Sequence, residues 1–419
     1  MASLQFDSEQ RFTCSQCGRC CRRPWEIVVT PAEVEAYRQA KVARLFRETP
    51  EAAEGAARDP FEPIPRTLKF HRIRKRSDGA CGFLSPQNRC RIHEELGGAR
   101  KPLTCRMFPY RFHPIERSTV VTTSFCCPTT VANTGAALAQ QRRDIAALHA
   151  EWFGVYPEDP RGVALATGRP LDEKSLKTLR EALRRMLDRP GADGRPDLRA
   201  NLVRIARTLD DLTRYRVSRL DAAAFAEYLK LIAGHAAASD TPVPPKPPGV
   251  FGRLMQRGFL FVVAATRLQV ENQSWSGWRL GLRLRLFRLL AHFHGLGGAV
   301  SGIELRAARA VPVDVQDARL HPPAYHYLRS AIATLGTGRL PLLDELALSV
   351  SYLNAALALA AMRSRETGRA VDAEMFCEAL MEAVDLTHAD ARGFLGRVLK
   401  AFAGGTEALY CFAEAGAAR

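Results

Sequence analysis

The sequence lacks the patterns that mark the common enzyme classes. It has no HExxH and no nucleophile elbow. Its glycine cluster, GLGGAVSG at 295–302, follows a helix-like run rather than a strand, so it does not read as a phosphate cradle. Histidine is scarce, ten in 419 residues. The groups HFH at 292–294 and HPPAYH at 321–326 read as ordinary helix-end and loop histidines. The opening MASLQFDSEQRF has no basic segment followed by an apolar one, so no secretory signal is expected. The expected compartment is the cytoplasm, where thiols stay reduced, and that weighs against a disulfide framework.

Acidic residues are in the minority, 44 against 60 basic, for a net charge of +16. The excess forms no tail. Arginine is spread along the chain, as in HRIRKR at 71–76 and LRRMLDR at 183–189, and reads as a compositional habit rather than a nucleic-acid signal. Charge-free apolar runs are also short. Residues 346–362 come closest to a membrane span, but Ser349, Ser351, Tyr352 and Asn354 interrupt them, so a buried helix and no transmembrane segment is expected. WSGWRLGLRLRLFRLLAHFH at 275–294 fits a membrane surface, a partner's groove, or a core helix whose arginines reach solvent.

Cysteine is what the sequence does have. Of eleven, nine stand at 14, 17, 20, 21, 81, 90, 105, 126 and 127. Cys377 and Cys411 are isolated in apolar stretches and read as small core residues. CSQCGRCC at 14–21 is an overlapping pair of CxxC steps with one further thiol. Thiolates at that spacing can converge on zinc or iron, and eight or nine of them exceed what one tetrahedral ion uses. Two four-sulfur sites, or a cluster beside a structural zinc, both remain open. His93 and His113 fall in the same region and read as surface or capping residues. Because the sulfurs would tie together segments with little regular structure, metal binding and folding should be linked.

Residues 1–135 are therefore expected to form a small, irregular, metal-stapled cysteine-cluster domain. The remainder reads as all-helical, giving a mainly α chain. DEKSLKTLREALRRMLDR at 172–189 repeats Leu176, Leu179, Leu183 and Leu187 at helical spacing behind Asp172 and Glu173. Further helices are expected at 198–215, 221–237, 251–272, 276–294, 322–335, 341–364, 372–385 and 388–403. SDTPVPPKPPGV at 239–250 reads as a proline-rich linker. It would separate a helical domain at 136–238 from another at 251–419.

Three stretches carry a resemblance. FTCSQCGRCCRRPWEIVVTPAEVEAY, then CGFLSPQNRCRIHEELGGARKPLTCRMFPYRF, then CCP, resemble the YkgJ-type cysteine-cluster family, whose members are described as zinc- or iron-chelating. Residue by residue, the resemblance implies Cys14, Cys17, Cys20, Cys21, Cys81, Cys90, Cys105 and Cys127 as ligands. Gly82 stands where that family commonly has proline, and Cys126 is a thiol outside its pattern. The chain is also similar over residues 10–130 to the flagellin lysine N-methylases, through CRIHEELG…TCRMFP and Trp25 after the double cysteine. The implied cofactors are zinc or an iron–sulfur cluster, joined by S-adenosylmethionine and a protein substrate if the likeness extends to methyl transfer. A third reading is a zinc-stapled interaction module. No doubly wound S-adenosylmethionine fold and no C-x3-C-x2-C radical motif is visible in the sequence.

Overall fold

The structure, a computed structural model, describes residues 3–23, 25–55, 58–65, 69–115, 118–157, 163–166, 169–214, 220–238, 247–250, 252, 253, 256, 259, 260, 311, 313–337, 340–388 and 405–414. The helix expected at 276–294, most of those at 251–272 and 388–403, and residues 239–246 of the linker lie outside them. So do the GLGGAVSG and HFH groups. The chain divides into two compact units. One comprises residues 4–112 and 121–159, the other 1–3, 113–120 and 160–419.

The cysteine-bearing unit is held by two apolar clusters. The larger gathers Val29, Val34, Tyr37, Phe46, Phe61 and Phe83, with Cys21, Cys90 and Cys105 packed at its margin. Aromatic rings give it shape: Tyr37 stacks on Phe61 at 5.6 Å, and Phe46 meets Phe83 edge-on at 5.3 Å. Helix α1 (Pro31–Gln39) supplies Val34 and Tyr37. Its start is fixed by a capping box: Thr30 Oγ1 accepts from the Glu33 amide, the Glu33 carboxylate accepts from the Thr30 amide, and Pro31 pre-sets the first turn. Against it lies an antiparallel sheet of β2 (Val28–Val29), β4 (His71–Ile73) and β3 (Phe61–Pro63), in that order. The second cluster joins Leu4, Phe12, Val121, Cys127, Leu138 and Ile145. Its members come from the strand β1 (Ser3–Phe6), from Val121 in a neighbouring strand and from the helix Arg142–Val155, with Tyr110 and Phe112 packed against them.

The other unit is mainly helical, as the apolar spacing predicts. Helix Glu173–Leu187 buries all four leucines of the pattern, and Asp172 caps it by accepting from the Ser175 amide at 2.7 Å. Leu198–Arg214, Ala222–Ala238, His321–Ala333, Leu342–Thr367 and Ala373–His388 match expected helices to within a few residues. A further helix covers Glu407–Glu414. Leu342–Thr367 is long and apolar enough to cross a membrane by length and composition, and 67% of its apolar window is buried inside the fold.

Two expectations need correcting. The region is not wholly helical: Val163–Ala166 and Arg169–Leu171 pair as antiparallel strands, with Leu165 and Leu171 buried. Cys377 and Cys411 are half-buried rather than core. The helix that carries Cys377 turns Met375, Phe376 and Leu380 inward instead.

Candidate metal centre

The four opening thiols lie on a loop that ends in a 3-10 turn, Arg19–Arg22. Gln16 and Gly18 take left-handed φ values of 54° and 68°, which fold the chain back between successive cysteines. Gly18 is required twice over: a Cβ there would lie 2.5 Å from the Asn88 carbonyl oxygen. That close approach seats the opening loop on the 81–90 segment. Arg22 Nη2 donates to Asn88 Oδ1 at 2.5 Å, and the Cys81 amide donates to the Cys21 carbonyl at 2.8 Å. On the other side, the Ser15 and Thr129 hydroxyls bond at 3.0 Å and reach the final cysteine segment.

The later cysteines are carried by short helices. Cys90 is the N-cap of α2 (Arg91–Leu96), and Cys127 the N-cap of α4 (Pro128–Val131). Neither sulfur caps its helix with a full hydrogen bond, but the Ile92 and His93 amides act on the Cys90 thiol and those of Thr129 and Thr130 on Cys127. Cys105 sits within α3 (Leu103–Met107). Its helix is anchored by the Leu103 amide on Glu33 Oε1 at 2.6 Å and by Thr104 Oγ1 on the Val28 carbonyl at 2.6 Å.

These elements enclose a cavity of about 50 Å³. Cys14, Cys17, Cys20 and Cys21 line it from the opening loop, Cys90 and Cys105 from the two helices, and Cys127 from the last segment. Phe12, Phe108, Pro109 and Pro128 supply apolar wall. Cys81 does not line the cavity. It is buried next to the opening loop, tied to Cys21 through the backbone. Cys126 is buried away from the cavity lining, and its carbonyl accepts from Arg23 Nη2 at 3.2 Å. Cys14 and Cys17 are exposed, so the cavity opens on their side. Among the described residues, no three or more histidine, cysteine, aspartate or glutamate side chains are grouped so as to hold one ion. The sulfurs share a cavity rather than a point.

Electrostatics divides the thiols. A hydrogen bond from Cys21 pulls the Cys20 thiol down to about 6, and the same contact with burial pushes Cys21 up. Burial pushes Cys81 up to about 11 and raises Cys90, Cys105 and Cys127, although helix amides on Cys90 and Cys127 oppose it. Lys101, which the sequence reading overlooked, also lines the cavity. Burial works against its charge, but Cys105, Cys90, Cys14 and Cys20 more than offset that and raise its pKa. His93 reaches the wall too, whereas the Nδ1 of His113 lies 3.1 Å from Thr337 Oγ1 in the helical unit. Gly82 is explained by its neighbour: a Cβ there would lie 2.1 Å from the Phe46 ring, so the space another residue would fill belongs to that aromatic.

A wall of soft sulfur donors, one of them held near its thiolate form beside a cation, suits a borderline or soft metal such as zinc or iron. No curated protein and no solved structure matches the chain. Residues 13–128 match the family model CxxCxxCC, whose description is "putative zinc- or iron-chelating domain", and this supports a metal-binding cysteine-cluster domain over that span.

Proposed function

We propose that the amino-terminal unit is a YkgJ-type metal site, working in the cytoplasm, that holds zinc or an iron–sulfur cluster through Cys14, Cys17, Cys20, Cys21, Cys90, Cys105 and Cys127 on the cavity wall and through Cys81 behind it, near enough for its charge to act on Cys21 and Cys105. The observation that carries this reading is the convergence of seven cysteines, from four separate stretches of chain, on one small cavity. A chance scatter of thiols would not place a loop, two helix N-caps and a mid-helix residue around the same 50 Å³. When bound, the metal supplies either a closed structural centre or a redox-active one. The chain's own residues do the rest. The helix amides at Cys90 and Cys127 favour thiolate, the apolar walls restrict water, and the Cys21 thiol bonds to Cys20 through a proton that the metal must displace.

Methyl transfer is not part of this reading. Among the described residues the sheets have two or three strands, and none carries the alternating helices of a doubly wound fold. Helix Leu342–Thr367 is read as a core helix. The test is anaerobic purification of the full chain, with elemental analysis and an absorption spectrum. Stoichiometric zinc in a colourless protein, or iron and sulfide with visible charge-transfer bands, is expected. Protein that takes up neither metal from supplemented medium, nor on reconstitution, refutes the proposal.

A further inference from the structure

The cavity wall contains a lysine among its sulfurs, and this chemistry goes beyond ligation. Each cysteine that binds as thiolate brings a negative charge, so a four-thiolate zinc centre carries two in excess. The apolar part of the wall, Phe12, Phe108, Pro109 and Pro128, screens that excess poorly. The surrounding cations are mostly directed elsewhere. Lys75 Nζ donates to the Cys21 and Arg23 carbonyls, Arg22 to Asn88, and Arg106 to Glu151. Lys101 stands in the wall itself, where four cavity cysteines act on its charge. Its backbone is fixed by a turn to Gly98 and by the Arg106 guanidinium on its carbonyl, at 3.2 and 3.0 Å, so the side chain is delivered from a braced segment.

We infer that Lys101 is the built-in counter-charge of the thiolate centre and sets how tightly the site holds its metal. The inference rests on the metal-binding reading above. Lys101 donates no lone pair as an ammonium and is not a ligand. It lowers the cost of gathering thiolates in one cavity, as outer partners of a metal site do, where their loss typically weakens affinity by about 10–100-fold. Arginine keeps the charge on a bulkier head, whereas methionine keeps much of the length without it.

The experiment uses the full chain, stripped of metal anaerobically and titrated with Zn²⁺ against a chromophoric chelator, as wild type, Lys101→Met and Lys101→Arg. Thermal melting of the three metal-free proteins accompanies it. The expected result is affinity about 10–100-fold weaker for Lys101→Met, recovery to within about threefold of wild type for Lys101→Arg, and similar metal-free melting. Wild-type affinity in Lys101→Met overturns the counter-charge alone. Equal weakening in both variants also overturns it, because shape rather than charge would then be at work. A wild type that binds no zinc or iron overturns the metal-binding reading and this inference together.

Discussion

Replacing Cys105 by serine separates a ligand from a buried thiol more cleanly than any other single change. Its helix is held without metal by the Leu103 amide on Glu33 and by Thr104 on Val28. The metal-free variant should therefore stay folded, at a cost of about 1–3 kcal/mol for a poorly satisfied hydroxyl. The loaded protein behaves differently. If losing one sulfur weakens the metal by about 100–1,000-fold, the mass-action stabilisation falls by about 2.7–4.1 kcal/mol. For a unit of this size each kcal/mol moves the midpoint by about 2–4 °C, so the loaded protein should melt about 5–16 °C lower. Cys377→Ser is the control: the residue is half-buried in the helical unit, and its replacement should cost about 1 kcal/mol and no metal. The assay is elemental analysis after anaerobic gel filtration, with calorimetry before and after a chelator. If Cys105→Ser keeps the wild-type metal content and the same chelator-induced shift, Cys105 is not a ligand.

Gly82→Ala, whose Cβ would fall 2.1 Å from Phe46, should cost about 1–3 kcal/mol in urea unfolding, and adding Phe46→Leu should recover part of it. Zinc affinity should rise by about tenfold or more per pH unit between pH 6 and 8, read by chelator competition, because burial keeps Cys81, Cys90, Cys105 and Cys127 protonated and the metal must displace those protons. In the metal-free protein the sign reverses. Cys81 has an ordinary value of 9.0 raised to about 11, so its contribution to stability is complete below 9.0 and fades as pH rises through about 11, visible as a falling urea midpoint that Cys81→Ala should flatten. In the helical unit Arg329, 3% exposed, meets both Asp188 oxygens at 3.0 Å. Asp188→Ala should cost about 3–5 kcal/mol by stranding a buried cation, and Arg329→Met less, because the carboxylate left behind is 29% exposed.

The helical unit was legible wherever a period could be read. Leu176, Leu179, Leu183 and Leu187 share one face of a helix by spacing alone, and all four are fully buried. Cys377 shows the limit of that reading: an apolar neighbourhood fixed its helix but not which face it occupies, and Phe376 beside it took the core. The cavity cysteines were visible because thiols are rare and their spacing is unusual. Lys101 was not, since one lysine among 60 basic residues carries no signal until the fold brings Cys14 and Cys90 to it. Cys81 and Cys127 were equivalent as letters. Only the fold puts one next to the opening loop and the other on the cavity wall.

The spacing of the cysteines suggested segments with little regular structure, whose folding would be linked to metal binding. The structure gives those segments other supports. A capping box starts the first helix, stacked Tyr37 and Phe61 belong to the cluster against which Cys21 packs, and the Arg23 and Ser15 side chains bond to the last cysteine segment. A chain whose only core is its metal is unfolded without it. Here an apolar cluster of buried aromatic and β-branched residues stands behind the sulfurs, with Cys21, Cys90 and Cys105 at its margin and Cys81 buried within it. This arrangement also suits an open site. Cys14 and Cys17 are exposed at one side of the cavity, while Cys90 and Cys127 begin helices and Cys105 lies within one.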